Sequence, residues 1–459
     1  MRIAFVLPAD RLSGGNLVVY EHGEILKSLG HEVSIVLRSW EVPVSTPGTT
    51  ISPNKKYAAD GAPVWYGALG YSAECLDWRS AMSRSFDLVI ATWWETAFDI
   101  FSLRAEKFAY FVQSDERRFY SEDENFLRAG VELSYRLPLI FITEAGWIKQ
   151  LLKDEFGQEA YLVPNGVNRE RFCPTTPLEE KKPGVLRVLI EGAGAVPYKR
   201  VGLAFEAVKD IPGIEVWYVC GDGHKETSWK PDRFLGAKLP TEMAAVYSSC
   251  DVLLKLSVVE GFFLPPLEMM SCGGTAIVTD VSGHEEYVKH EENALVVKMD
   301  DLEGARRAII RLRDDQELLN RLKKNALATA ANTTWDLAKS AYQLCLPKIN
   351  SESQELGKTK EFLRFLPVIR DSMSCLQTQK MVSNGAFLTQ EDAKSMLVDL
   401  DRQFKEIVGY FNHYAPKQEF ETRVGAIEHV LTSMAKGRGI KRRLKSFLRP
   451  FALTAQKIR

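Results

Sequence analysis

Glu260 and Glu268 bound the stretch EGFFLPPLE, with seven residues between them. The run DVLLKL (251–256) before it reads as a strand. Pro265 and Pro266 sit where a helix would begin, because a first helical turn has no use for the amide hydrogens that proline lacks. Glu260 then lies in a loop and Glu268 on the second helical turn, both presented to one site. The amides of Gly261, Phe262 and Phe263 can point at an oxygen-rich ligand, with the helix dipole behind them. Carboxylates so placed suit a sugar. One accepts bonds from hydroxyls or balances positive charge growing at an anomeric carbon, and the other grips a ribose diol. The plainer alternative is that Glu268 merely complements the dipole and Glu260 is a solvated loop acid.

The elements that must position these acids alternate β-branched or aromatic runs with helical patterns, the signature of βαβ units and parallel sheets. Candidate strands are 2–7, 33–37, 87–91, 108–112 and 139–143, followed by a second series at 186–190, 214–219, 251–256, 275–279 and 294–297. The expected fold class is α/β, with two Rossmann-like domains facing a central cleft. The first would span 1–170 and the second 171–350. Strand patterns stop after about 350, where a helical extension, 351–459, is expected. In doubly wound sheets ligands bind where strand carboxyl ends feed helix N-termini, which is where the candidate residues fall.

Several motifs in order resemble glycosyltransferase family 4, whose members retain anomeric configuration. They are the two-Glu stretch with CGGTAIVTDVSGHEEYV behind it, VPNGVNRERF (163–172), WYVCGDG (217–223) and FLGAKLPTEMAAVYSSCDVLL (234–254). The resemblance covers most of 1–347 and implies the glycosyltransferase-B fold and a nucleoside-diphosphate sugar as substrate. It places Glu260 beside the donor sugar and Glu268 on the ribose, with Gly261, Phe262, Phe263 and Leu264 along the donor. Gly14 and Gly15 in LSGGNLVVYEH match glycines whose amides approach the donor phosphates. Lys199 matches the lysine that neutralises the diphosphate leaving group, a charge that grows as the C1–O bond breaks. A solvated Lys199–Arg200 pair at a helix start is the alternative, although the dipole disfavours cations there.

Two positions depart from the family pattern. Gly194 stands where an Arg is usual, so Arg200 or a residue from elsewhere would have to compensate. Gln113, in FVQSDERRFY, stands where many relatives have His. Glutamine exchanges hydrogen bonds but cannot act as a general base. That stretch, with ATWWETAF and FITEAGWIKQLL, resembles bacterial rhamnosyltransferases of surface polysaccharide assembly, which implies a hexose or deoxyhexose donor and a growing, lipid-linked glycan acceptor. Asp115 and Glu116 are acceptor-side candidates or else a solvated loop. A nucleotide-sugar epimerase or phosphorylase of the same architecture is one alternative. A non-catalytic scaffold of a polysaccharide assembly complex is another, and Gly194 is its best support.

Composition narrows the field further. With 45% apolar and 26% charged residues and a net charge of -1, the chain carries no global signal for nucleic acid or disorder. No run reaches the ~20 apolar residues that span a bilayer, and the opening is too short for a secretory signal, so a cytoplasmic protein is expected. Seven scattered cysteines without a C-x-x-C pair read as packed, reduced thiols. No metal-ligand spacing is present, and metal-independent chemistry without a cofactor is expected. Absence of G-x-G-x-x-G after the first strand argues against a dehydrogenase. Residues 436–459 hold nine Lys or Arg and no acid, with Ile440, Leu444, Phe447, Leu448 and Phe451 on one helical face. That segment reads as a peripheral anchor on the anionic inner membrane face, or as a flexible or protein-docked tail. Residues 351–435 could mediate an oligomer or assembly complex.

Overall fold

The computed structural model describes residues 1–9, 13–38, 67, 69–354 and 356. The extension and basic tail from 357 onward lie outside the described residues, as do the membrane and assembly expectations placed on them. Among the described residues no helix is long and apolar enough to cross a membrane.

Two all-parallel sheets form the frame. The first holds β1 (Arg2–Leu7), β2 (Glu32–Leu37), β3 (Glu74–Asp77), β4 (Ser85–Ala91), β5 (Arg104–Val112), β6 (Ile140–Thr143) and β7 (Ala160–Leu162), in the order β3-β2-β1-β4-β5-β6-β7. The second holds β8 (Leu186–Glu191), β9 (Ile214–Val219), β10 (Arg233–Gly236), β11 (Val252–Lys255), β12 (Thr275–Thr279) and β13 (Leu295–Val297), in the order β10-β9-β8-β11-β12-β13. Each order reverses once, between β1 and β4 and between β8 and β11. The crevice at such a reversal is where doubly wound sheets take ligands. Central strands such as FVL of β1 and VLLK of β11 are buried on both faces, as helices on both sides of a parallel sheet require.

Helices start where local chemistry permits. Ser13 caps Gly14–Ser28 by accepting from the Asn16 amide, and Asp301 and Asp315 cap Leu302–Asp314 and Gln316–Asn332 in the same way. Two helices at the second sheet start instead from non-glycine residues in the left-handed region, Arg200 (φ 48°) before Val201–Val208 and Phe263 (φ 69°) before Leu264–Ser271. Such backbone costs about 1–3 kcal/mol and persists where the surroundings over-determine it.

The helix Asp336–Ser351 corrects the expected division at 350. It leaves the second sheet and packs on Gly14–Ser28, burying Ala338, Tyr342, Leu346 and Ile349 in the core beneath β1 and β2. Its apolar face therefore completes the first lobe. The chain crosses between lobes twice, and the crossings touch at a parallel bridge between Val167 and Thr334, with the Val167 amide donating to the Thr333 carbonyl at 2.9 Å.

Candidate functional site

β11 ends in Lys255, and the loop after it carries Glu260 into the gap between the sheets. The Lys199 ammonium, on the short turn Pro197–Lys199 after β8, donates to Glu260 Oε1 at 2.9 Å. The Glu260 side chain is only 9% exposed. Burial pushes this carboxyl's pKa up, but the charges of Lys199 and Lys255 more than offset it, and the acid is held below its ordinary range. The expected pair of one acid and one ammonium is therefore a direct contact.

Glu268 lies one turn further, on Leu264–Ser271. Tyr247 stands between it and Glu191, the last residue of β8, with its hydroxyl 3.0 Å from Glu268 Oε2 and 2.7 Å from Glu191 Oε2. One hydroxyl hydrogen cannot fully serve two carboxylates. Burial, then the Glu191 charge, push the Glu268 pKa up to about 8. Lys255 Nζ, almost fully buried, donates to the Glu191 carbonyl at 3.2 Å and lies 3.6 Å from Glu191 Oε1.

The first lobe closes over this loop through its own strand-end turns. Ser114 donates to the Glu260 carbonyl at 3.2 Å and the Trp147 indole to the Gly261 carbonyl at 2.9 Å. Arg118 reaches the Val258 carbonyl and the Ser282 hydroxyl, each at 3.2 Å, while the Phe119 and Tyr198 rings lie 5.4 Å apart. A Cβ on Gly261 would stand 2.0 Å from the Gln113 carbonyl oxygen, so only glycine lets the lobes approach this closely. Gln113 in turn faces Gly15, whose Cβ position lies 3.4 Å from its amide oxygen; Gly14 opens the helix beside it and has free space. The two glycines, Gln113 and the Glu260 loop thus line one side of the gap.

Three expectations change. The Phe262 amide does not point at a ligand but donates to Glu144 Oε1 at 3.2 Å, because that buried carboxyl needs donors. Glu144 also accepts from Asn165, which bonds His22, which bonds Tyr342 on the returning helix, a buried chain with steps of 2.8, 2.9 and 2.9 Å. Burial raises Glu144 to about 8 and lowers His22 to about 4. Second, Arg200 is drawn to the surface by Asp300, with its Nε 2.7 Å from Asp300 Oδ1. Third, Asp115 and Glu116 act within the first lobe. Asp115 caps the turn Glu116–Phe119 and pairs with Arg117 at 2.8 Å. Glu116, 1% exposed, accepts from the Tyr110 hydroxyl at 2.6 Å and the Trp94 amide at 2.7 Å, and burial raises it to about 8. Phe263 and Leu264 turn the chain from loop to helix.

Gly194 has a packing explanation. A Cβ there would meet His224 Cδ2, the His224 carbonyl oxygen and the Tyr218 hydroxyl, all at 2.8 Å. Glu191, Lys255 and Tyr247 were not among the sequence candidates. Their signal was present: Glu191 closes β8 after the apolar run VLI and Lys255 closes β11 after VLL, both at the end of the sheet where ligands bind. Among the described residues no group of three or more His, Cys, Asp or Glu is placed to hold a metal.

Known proteins resemble this chain in the same regions. Residues 187–329 match the family model of the glycosyl transferases group 1. The chain is 28% identical over 200 residues to the Escherichia coli UDP-Gal:alpha-D-GlcNAc-diphosphoundecaprenol alpha-1,3-galactosyltransferase, covering 39% of this chain and 50% of that protein. It thus spans about half the length of that curated relative. Among solved structures, sucrose-phosphate synthase from Thermosynechococcus elongatus superposes with a TM-score of 0.57 at 17% identity, over 77% of this chain and 100% of that one. Anabaena HepE, solved in complex with UDP and glucose, superposes with a TM-score of 0.58 at 15% identity, over 76% and 100%. The second lobe, over residues 187–329, thus resembles the group 1 glycosyl transferases, and the two facing parallel sheets give the chain the glycosyltransferase-B fold that the motifs led one to expect.

Proposed function

We propose that this protein transfers a hexose or deoxyhexose, rhamnose within that class, from a nucleoside-diphosphate sugar to a growing glycan with retention of anomeric configuration. The observation that carries this reading is the 2.9 Å Lys199–Glu260 pair at the carboxyl end of the second sheet, against the strand-end turns of the first. Lys199 takes the charge on the departing diphosphate as the C1–O bond breaks. Glu260 orients the donor sugar, Glu268 accepts a ribose hydroxyl, and the amides at Gly14 and Gly15 approach phosphate at a helix start. The acceptor oxygen bonds to C1 on the same face, and its proton passes to the leaving phosphate. No protein base is required, in keeping with Gln113 at the expected base position.

The acceptor we propose is lipid-linked, which the name of the Escherichia coli relative supports by placing its own acceptor on diphosphoundecaprenol. The bound UDP of HepE makes uridine nucleotides the first to try. A thermal-shift panel of UDP, GDP and dTDP with their sugars should give one donor that raises Tm by mass action, followed by transfer to a lipid-linked or soluble glycan acceptor. Glu260→Ala should lower turnover about 10²–10³-fold, the effect of removing one preorganised charged contact. Full turnover in a folded Glu260→Ala variant would overturn the reading.

A further inference from the structure

The site must receive a doubly charged diphosphate, yet it gathers three acids, Glu191, Glu260 and Glu268, and packing at Gly194 leaves no room for a side chain. Arg200 is committed to Asp300. Lys255 is a cation at the centre of those acids: its side chain is 3% exposed, it is bonded to the Glu191 carbonyl, and it lies 3.6 Å from the Glu191 carboxylate. A lysine so deep in a strand end costs desolvation that apolar packing would avoid, so its retention needs the acids around it.

We infer that Lys255 is a positioning residue of the donor site, its ammonium holding Glu191 and, through the shared Tyr247 hydroxyl, presenting Glu268 as the carboxylate that receives the nucleotide's ribose. The inference rests on the donor-binding part of the proposed function. Tyr247 has one hydrogen for two carboxylates, and Lys255 supplies the compensating charge on the Glu191 side. Glu268 is faced by Glu191 from β8, Tyr247 from Pro240–Ser249, Lys255 from β11, Arg171 from the segment between β7 and β8, Cys272 just past the end of its own helix and Tyr287 beyond. Of these, Glu191 makes ionisation harder, whereas Lys255 and Arg171 make it easier.

The variants that test this are Lys255→Met, near in shape but uncharged, and the double variant Lys255→Met/Glu191→Gln, which also removes the opposing acid. Binding of UDP, GDP and dTDP to each full chain is measured by calorimetry from pH 6 to 10, with Tm recorded to show folding. Losing Lys255 should weaken the best nucleotide at neutral pH, roughly tenfold for each unit by which Glu268 becomes harder to ionise. The ratio to wild type should close toward pH 10, and the double variant should recover most of the affinity. A folded Lys255→Met with wild-type affinity at every pH overturns the inference, as does a double variant no better than the single one. If Lys255→Met does not fold, the double variant and Glu191→Gln decide: Glu191→Gln should bind tighter than wild type at neutral pH, and unchanged binding refutes the role. If nucleotide binds as described but no sugar is transferred, the transfer reading falls and this one stands. If no nucleotide binds wild type, both fall.

Discussion

Replacing Gly194 by the arginine usual in the family should damage the protein rather than improve it, and alanine is enough to show this. The new Cβ would lie 2.8 Å from three atoms, one of them the His224 carbonyl oxygen. Carbon and its neighbours normally sit roughly 3.5–4.0 Å apart, so something must shift by about 0.7 Å or more. The surroundings are tied: the Tyr218 hydroxyl bonds the His224 carbonyl at 3.0 Å and lies 3.3 Å from the Gly192 carbonyl, and its ring packs between Phe205 and Phe234. Overpacking of this kind costs about 1–3 kcal/mol, and loss of the tyrosine bond adds about 1 kcal/mol. At about 2–4 °C per kcal/mol for a unit of roughly 150–250 residues, Gly194→Ala should lower Tm by about 4–16 °C. Scanning fluorimetry reads the shift, and Gly194→Arg should lose at least as much without gaining donor affinity. An unchanged Tm for Gly194→Ala would refute the packing account of the missing arginine.

Gly261→Ala places a Cβ 2.0 Å from the Gln113 carbonyl oxygen and must push the lobes apart at the Glu260 loop; turnover should fall up to about 10²-fold, as ångström-scale misplacement does, with a larger radius of gyration by X-ray scattering. Glu116 has a folded-state pKa above its unfolded one, so its stabilising contribution is complete below about 4.5 and is lost as pH rises through about 8; Glu116→Gln should lessen the fall in Tm across that window. His22 is shifted the opposite way, downward to about 4 by burial, so its contribution is present above 6.5 and is lost as pH falls through about 4. His22→Leu should remove that acid-side loss yet cost about 1–3 kcal/mol at pH 7, measured by urea unfolding, because Asn165 and Tyr342 lose their partner.

Most strands legible in the sequence were those buried on both faces, which read as apolar runs; the partly exposed edge strand β13 was legible as well, from the run ALVV. β3, β7 and β10 were not anticipated, and each is a sheet edge of three or four residues, partly exposed. The Lys199–Glu260 contact was legible because both residues sit in loops at strand ends, where a charge has no structural excuse. Arg200 misled because sequence adjacency says nothing of direction: a left-handed backbone at that residue accompanies its turn to Asp300. Asp115 and Glu116 misled in another way. Polar letters after a strand suggest solvent, yet the Tyr110 hydroxyl and the Trp94 amide each donate to the Glu116 carboxyl, and the Tyr135 hydroxyl accepts from the Glu116 amide, partners enough to bury an acid. Nor could local pattern reveal that Asp336–Ser351 belongs to the first lobe, since an amphipathic helix does not name the surface it covers.

The paired crossings at Val167 and Thr334 restrict how the protein can breathe. A single tether would let the halves swivel freely; two backbone strands laced side by side leave chiefly a bending freedom about the line they share. The buried relay from Glu144 through Asn165 and His22 to Tyr342 includes a residue just before one crossing and one just after the other, so bending there must work against buried hydrogen bonds. Access to the cleft is thereby coupled to the integrity of its spine.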